Sequence, residues 1–367
     1  MPRFFRAGIL LLALHCYFAS AETSYHFLGP VSGMYLLPVG ESPGWSSSTW
    51  FNLETSVGSV WNYGAHFTDK RNGNDYYLFA DYEQEVAVAE FGQALGKSIG
   101  LAVEVPYENH NGGFMDDFID QFHILIQSDR FKRNTSPKYG NHFVVQKNGI
   151  DQLSSEHDEG TGNMKAKLKY WAWQNSSPTP GACDCGLAFS AQVKFPLQNR
   201  LRGLTSGSND YSGLIHFGLP FGSNSGVMAT AAFTKLGRND TFAEWPMRQW
   251  EQMYELHLNL GLGPRWSVIL EARADSPLMN KEYLDFQYTY ADKDLNNQER
   301  VASAWNSLVE WRGSEDIRFR YNWGKGNSFD IGFVEDWAIG PQDNSNDGLY
   351  LNNAPDFQAM TNLHFSF

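Results

Sequence analysis

Hydrophobic and polar positions alternate along much of this chain. Over the last eleven residues the alternation is unbroken. Phe357, Ala359, Thr361, Leu363, Phe365 and Phe367 fall on one side, and Gln358, Met360, Asn362, His364 and Ser366 on the other. A strand points successive side chains to opposite faces, so the segment has one apolar and one polar face. The same period recurs over 49–57, 76–90, 97–106, 162–173, 185–195, 211–219, 225–235, 249–261, 264–273, 316–323, 328–337 and 356–367. Most of these segments are near the roughly 9–11 residues that cross a bilayer at a tilt. The connections 91–96, 174–184, 220–224, 262–263 and 324–327 are short. Those over 58–75, 107–161, 196–210, 236–248, 274–315 and 338–355 are long, and the two kinds alternate. The pattern predicts an all-β fold, a transmembrane antiparallel β-barrel of about twelve strands. Its short turns lie in the periplasm, its long loops lie outside, and an even count leaves both termini periplasmic. Counting 140–147 and 302–312 as well gives fourteen strands, but breaks the alternation of loop lengths. They are therefore assigned to excursions within the long loops.

Composition fits this reading. The mean hydropathy is −0.43, yet aromatic residues make up 15% of the chain. Abundant aromatics without long apolar runs suit a barrel with aromatic girdles, and a soluble all-β sandwich is the alternative fold. Arg3 and Arg6, the apolar stretch Ala7 to Phe18 and the small-residue site Ala19-Ser20-Ala21 predict a cleaved signal peptide over 1–21. A single barrel domain over 22–367 follows, and bacterial outer-membrane residence is expected. The net charge of −13 argues against nucleic acid as a partner. Expected partners are outer-membrane lipid, the barrel-assembly machinery and a small solute of unknown identity. The terminal Phe357, Leu363, Phe365 and Phe367 resemble the assembly signal of bacterial outer-membrane barrels. Cys183 and Cys185 stand one residue apart, bridged by a strained, reactive disulfide, free, or engaged in metal or redox chemistry, for which a lone C-x-C is a weak signal.

If the apolar positions face lipid, the alternate positions line the lumen. That face is charged, and the charges segregate. Strands one to three place Glu54, Asp81, Glu83, Glu85 and Glu104 there. Strands four and five place Lys165, Lys167, Lys169 and Lys194, and strand ten places Arg318 and Arg320. His216, His257, Glu255, Glu271 and Arg273 are further lumen candidates. Rings of charge of this kind filter solutes in porin-like channels. Paired with one another, the same charges would instead plug a narrow barrel.

The segment 107–161 is long enough to signal function. Within it, Met115, Phe118, Ile119 and Phe122 keep helical spacing, while Asp116, Asp120 and His123 share another face. The predicted helix could constrict the barrel mouth through those three groups, or be a surface helix with a solvated acidic face. No set of ligands has a recognisable metal spacing, so neither a metal nor a cofactor is expected.

The run Gly112-Gly113-Phe114-Met115-Asp116-Asp117-Phe118-Ile119-Asp120-Gln121-Phe122-His123, with Arg130 after it, resembles the central motif of an uncharacterised family of Gram-negative outer-membrane proteins, known only as a domain of unknown function. Lys194-Phe195-Pro196 with Gly207-Ser208-Asn209-Asp210, and Glu335-Asp336 with Pro355-Asp356-Phe357, resemble it too. Leu197-Gln198 departs from the Thr-Gly that usually follows the Pro. The resemblance implies the barrel fold and the location, and carries no substrate or catalytic residue. A weaker similarity links the chain to barrels for uptake of aromatic compounds. The sequence contains neither a G-x-S-x-G elbow nor H-E-x-x-H, so a channel is favoured over an enzyme. The alternatives are a filled barrel with a lipid-modifying role, or one with a structural or adhesive role.

Overall fold

Twelve strands join into one closed antiparallel barrel. In chain order they are β1 (Thr49–Asp69), β2 (Asn74–Leu95), β3 (Ile99–Asn111) and β4 (Asn163–Gln174). Next come β5 (Gly186–Pro196), β6 (Asp210–Gly222), β7 (Ser225–Lys235) and β8 (Trp250–Gly261). β9 (Trp266–Asp275), β10 (Trp311–Gly324), β11 (Asn327–Ile339) and β12 (Phe357–Ser366) complete the wall. The computed structural model describes residues 30–41, 49–126, 138–155, 158–174, 186–197, 203–222, 225–238, 244–287, 291–293, 299–301, 306–309, 311–324, 326–339 and 357–367. The expected signal peptide 1–21, Arg130, Cys183 and Cys185 lie outside these residues.

Each strand pairs with its sequence neighbour, and β12 closes the ring by pairing with β1 from Trp50↔Ser366 to Ser59↔Phe357. Closure satisfies the backbone groups that an open edge would leave bare in hydrocarbon. The outer face carries Leu101, Val103, Leu168, Phe189, Leu256, Trp266 and Phe319, all exposed. Lipid covers such a belt in a transmembrane barrel. Among the described residues no helix is long and apolar enough to cross a membrane.

Two regions depart from the sequence expectations. First, 58–75 is not a long loop. β1 and β2 run on as a continuous ribbon to a tight turn at Lys70–Gly73, well beyond a bilayer-spanning length. A hairpin of His142–Lys147 and Ile150–Ser155 adds to the extended part of β2, with Asn148 and Gly149 at positive φ in its two-residue turn. This is the excursion assigned to 140–147. In this upper ribbon, Tyr76, Leu78, Ala80 and Tyr82 point inward and join Phe67, Phe143, Val145 and Leu153 in a buried apolar cluster. Above the bilayer, water rather than lipid lies outside. The soluble rule of apolar inside and polar outside therefore takes over.

Second, the chain ahead of β1 does not stay below the barrel. Residues 30–41 enter the lumen, where Val31, Met34, Tyr35, Leu36, Leu37 and Val39 are buried. Val31, Met34 and Tyr35 pack beneath the upper apolar cluster. Strand parity does place the ends of β1 and β12 together, as Phe367 N–H bonds to Thr49 O. Residues 30–41 nonetheless lie inside the ring.

Candidate functional site

The site is the lumen, built by the alternate residues of the twelve strands and by the segment that fills it. Contacts along residues 30–41 fix the direction of this plug. Asn163, the first residue of β4 at the long-loop end, reaches the carbonyls of Gly33 and Met34. Lys194 Nζ donates to Met34 O at 2.8 Å, and Leu36 N–H donates to Asp210 Oδ2 at 2.7 Å. Lower down, Arg273 donates to Pro38 O at 2.9 Å and Gln192 to Val39 O at 3.1 Å. Lowest, Glu41 lies 3.3 Å from Lys169 and 3.9 Å from Lys167. Gly40 has no room for a side chain, since a Cβ there would fall 1.9 Å from Glu255 Oε1. The plug thus presents its own carbonyls and amides to wall groups at every level.

The wall charges pair across neighbouring strands. Lys165 meets Glu104 at 2.6 Å, and Lys167 meets Glu90 at 2.5 Å and Glu104 at 2.8 Å. Lys194 meets Asp210 at 2.8 Å. Arg273 binds Asp275 at 2.7 Å, Arg318 binds Glu271 at 2.7 Å and Asp316 at 2.8 Å, and Arg320 binds Asp330 at 2.6 Å. Arg312 pairs with Glu251. These groups are buried, and ions so far from water persist only when paired and hydrogen-bonded. A cavity of about 530 Å³ is lined by the outward side chains Ile215, Phe217, Tyr254 and Leu256 together with Thr230, Glu255 and Arg273.

Of the residues expected to line the lumen, Glu54, Glu104, Lys165, Lys167, Lys169, Lys194, Arg318 and Arg320 point inward and are buried. His216, His257, Glu255, Glu271 and Arg273 do too. Asp81, Glu83 and Glu85 do not. On β2 the even positions face in, so these three odd acids face out. Glu85 is exposed and accepts from Asn109 at 3.0 Å. Glu83 accepts the Met115 amide, at the start of helix α1 (Met115–Ile126). The lumen acid of β2 is Glu90, whose position the pattern alone did not single out.

Helix α1 is therefore no constriction. It lies outside the barrel, with Phe118 5.3 Å from the ring of Phe357 on the outer face of β12. Asp116 and Asp120 are buried beneath it rather than solvated. Asp116 accepts the Tyr139 amide at 2.6 Å, and Asp120 lies 3.7 Å from Lys138. Lys138 also pairs with Asp117. The backbone of His123 belongs to α1, while its side chain lies outside the described set. Phe114, just ahead of the helix, and Phe118, Ile124 and Leu125 on it are left exposed. The terminal aromatics Phe357, Phe365 and Phe367, with Leu363, belong to the outer, non-lumen face of β12, and Phe365 stacks 6.4 Å from Phe51.

His216 has a serine neighbour that sequence reading missed: Ser190 Oγ is 2.7 Å from its Nε2. The pair is not poised for nucleophilic catalysis. The Glu41 backbone N–H donates to His216 Nδ1 at 3.2 Å, so Nδ1 is the bare nitrogen and Nε2 carries the proton. Nε2 then donates to Ser190 and cannot take its proton.

The plug left a readable trace. Val31–Val39 is an apolar run without strand alternation, punctuated by Gly33 and Pro38 and followed by Gly40. Ahead of the first strand of a barrel, such a run has only the lumen in which to be buried.

Three solved structures share features of the fold. An outer membrane channel, COG4313 from Pseudomonas putida F1, is 11% identical over 92% of this chain and 98% of its own, with a TM-score of 0.47. The CymD monoaromatic hydrocarbon channel is 9% identical over 89% of this chain and 90% of its own, at 0.35. A deletion mutant of the TodX monoaromatic hydrocarbon channel is 10% identical over 97% and 98%, at 0.36. The fold assignment rests on the closed hydrogen-bond register and not on these likenesses. No curated protein matches the sequence. Residues 27–283 match the family described as Protein of unknown function (DUF3187), and the chain belongs to that family.

Proposed function

We propose that this protein is an outer-membrane channel for small solutes, held closed by its own residues 30–41. The single observation that carries this reading is the course of that segment through the lumen. A barrel of about eight strands is filled by its wall side chains alone, whereas 16–18 strands leave an aqueous channel. Twelve strands leave a gap, and here a peptide strand fills it. The segment leads towards β1, and its polar contacts to the wall are reversible hydrogen bonds and ion pairs. Its withdrawal would expose Lys167 and Lys169 on one side and Arg273 on another. The apolar outer belt fits outer-membrane lipid, and the terminal aromatic face fits recognition by the assembly machinery. A lipid-modifying role finds no support at His216, whose tautomer is set against it.

The test is solute flux. Full-length chain and a variant lacking residues 31–40 are refolded into liposomes, with folding checked by heat-modifiable mobility. Swelling in isotonic sugars and in charged solutes is then compared. The full chain should admit solute slowly, and the deletion should admit it at least ten times faster. Equal, negligible swelling of both folded proteins would point to a filled barrel with a structural role.

A further inference from the structure

Beyond the plug, the wall holds a compact group of two carboxylates and an imidazole. Glu255 and His257 of β8 and Glu271 of β9 meet inside the lumen, each buried. One donor atom from each lies within 4.8 Å of the other two. The strand register places them together: His257 is directly opposite Glu271, and Glu255 is two residues along on the same face.

Charge counting sets this group apart. Arg312 with Glu251 and Arg320 with Asp330 balance one to one. Around His257, four buried acids (Glu255, Glu271, Asp275 and Asp316) face two arginines, Arg273 and Arg318. Arg318 holds Glu271 Oε2 at 2.7 Å, whereas Arg273 turns toward Asp275. Arg273 makes its short bonds to Asp275 and stands 3.8 Å from Glu255. Among the described residues the carboxylates gathered here outnumber the arginines, and a cation or protons would ease their burial where water is scarce.

Two atoms mark where that charge belongs. Glu255 Oε2 and His257 Nδ1 are buried and make no hydrogen bond. His257 Nδ1 lies 3.3 Å from Glu271 Oε2, and His257 Nε2 lies 2.6 Å from Glu255 Oε1. We propose that Glu255, His257 and Glu271 form a site for one divalent cation of the zinc class, on the barrel wall behind plug residue Gly40. One imidazole nitrogen and two carboxylate oxygens suit a borderline cation, with bonds of about 2 Å to each donor. Donors already within 4.8 Å need only small side-chain movements to reach that geometry. Three protein ligands leave a fourth position for water or a plug group. A +2 ion cancels the local excess, and the imidazole must be neutral to bind, so acid should release the ion.

The site does not depend on whether the lumen conducts, and its test reads metal alone. Full-length barrel is refolded in chelator, in Zn2+ or in Co2+, then gel-filtered to remove loose ion. Metal is counted by mass spectrometry, and Co2+ is followed by its visible d–d bands. The wild type should retain about one equivalent of metal, and refolded apo-barrel should take up Co2+ with saturating, tetrahedral-type bands. H257Q and E271Q should each weaken affinity at least ten-fold, as expected for loss of one ligand in three. E255Q provides a second carboxylate test should E271Q fail to fold. X-ray absorption at bound zinc should show one imidazole and otherwise oxygen neighbours. No retained metal in the folded wild type would overturn the site in favour of protons as the counter-charge. Retention unchanged in the folded variants would overturn it in favour of binding elsewhere.

Discussion

Replacing Asp210 by alanine strikes the plug and the wall together. Its carboxylate holds Lys194 at 2.8 Å, the Leu36 amide of the plug at 2.7 Å and the Gly237 amide at 2.6 Å. Both charged side chains are wholly buried. Without Asp210, Lys194 keeps Met34 O and Ser206 Oγ, and lies 5.6 Å from the ring of Tyr35, but has no counter-charge. Breaking one partner from a buried pair costs about 3–5 kcal/mol. An orphaned buried amide adds about 1–3 kcal/mol, less wherever water can follow. We therefore expect D210A to lose about 4 kcal/mol, about half of it traceable to Lys194. K194M in the same chain removes the stranded charge while keeping an apolar stem under Tyr35. The double variant should recover about 2 kcal/mol of the loss, leaving mainly the unpaired amides. The assay is reversible urea unfolding in lipid vesicles, followed by tryptophan fluorescence for the four proteins of the cycle. A D210A loss below about 1 kcal/mol, or a double variant no better than D210A, would refute the reasoning.

Other expectations follow from the same geometry. Changing Phe365 and Phe367 to serine should block membrane insertion, since both belong to the outer face of the closing strand; normal membrane levels of this variant would contradict the barrel's orientation. A tag at Gly149, in the turn of the upper hairpin, should be reachable on intact cells. One at Gly326 should be reachable only after the outer membrane is opened. Charge reversal of Lys165, Lys167 and Lys169 to Glu should prevent folding rather than change ion selectivity, because it sets three new carboxylates against Glu41, Glu90 and Glu104. Recovery of a folded, conducting triple variant would count against the paired lumen. At the turn of the upper ribbon, burial raises the Asp69 carboxyl, but hydrogen bonds from Arg71 outweigh it and leave Asp69 below its ordinary value of 3.8. A lowered folded pKa stabilises the turn above that value and loses the contribution as pH falls through the depressed one. Protection of the Lys70–Gly73 amides, taken relative to their intrinsic exchange rates, should therefore fall at acid pH in the wild type and be less pH-dependent in D69N.

The sequence revealed the wall far better than its contents. A period of two is a local signal, so all twelve strands and the inward face of β4, with Lys165, Lys167 and Lys169, could be read directly. The register that brings Lys165 opposite Glu104, or His257 opposite Glu271, is a relation between distant segments and leaves no trace in either alone. Asp81, Glu83 and Glu85 misled for a physical reason. The rule of polar inside holds only where lipid lies outside, and the upper half of β2 stands clear of it. Helix α1 showed its period but not its place, because Phe118 could as well have faced a lumen as the ring of Phe357. The plug showed only as an apolar run without a period, and the wall residues it meets are distant in the sequence.

The account's central claim is that residues 30–41 close the lumen, and a tethered plug tests it most directly. Gln192 donates to Val39 O at 3.1 Å, so cysteines at these two positions, in a chain with Cys183 and Cys185 changed to serine, lie near enough to be bridged by a bis-maleimide linker that contains a disulfide. Single-channel current is then recorded from one preparation, linked and after reduction of the linker. The account predicts silence in the bridged state and resolved openings once the bridge is reduced. Currents of equal size in both states, or silence in both, would contradict it.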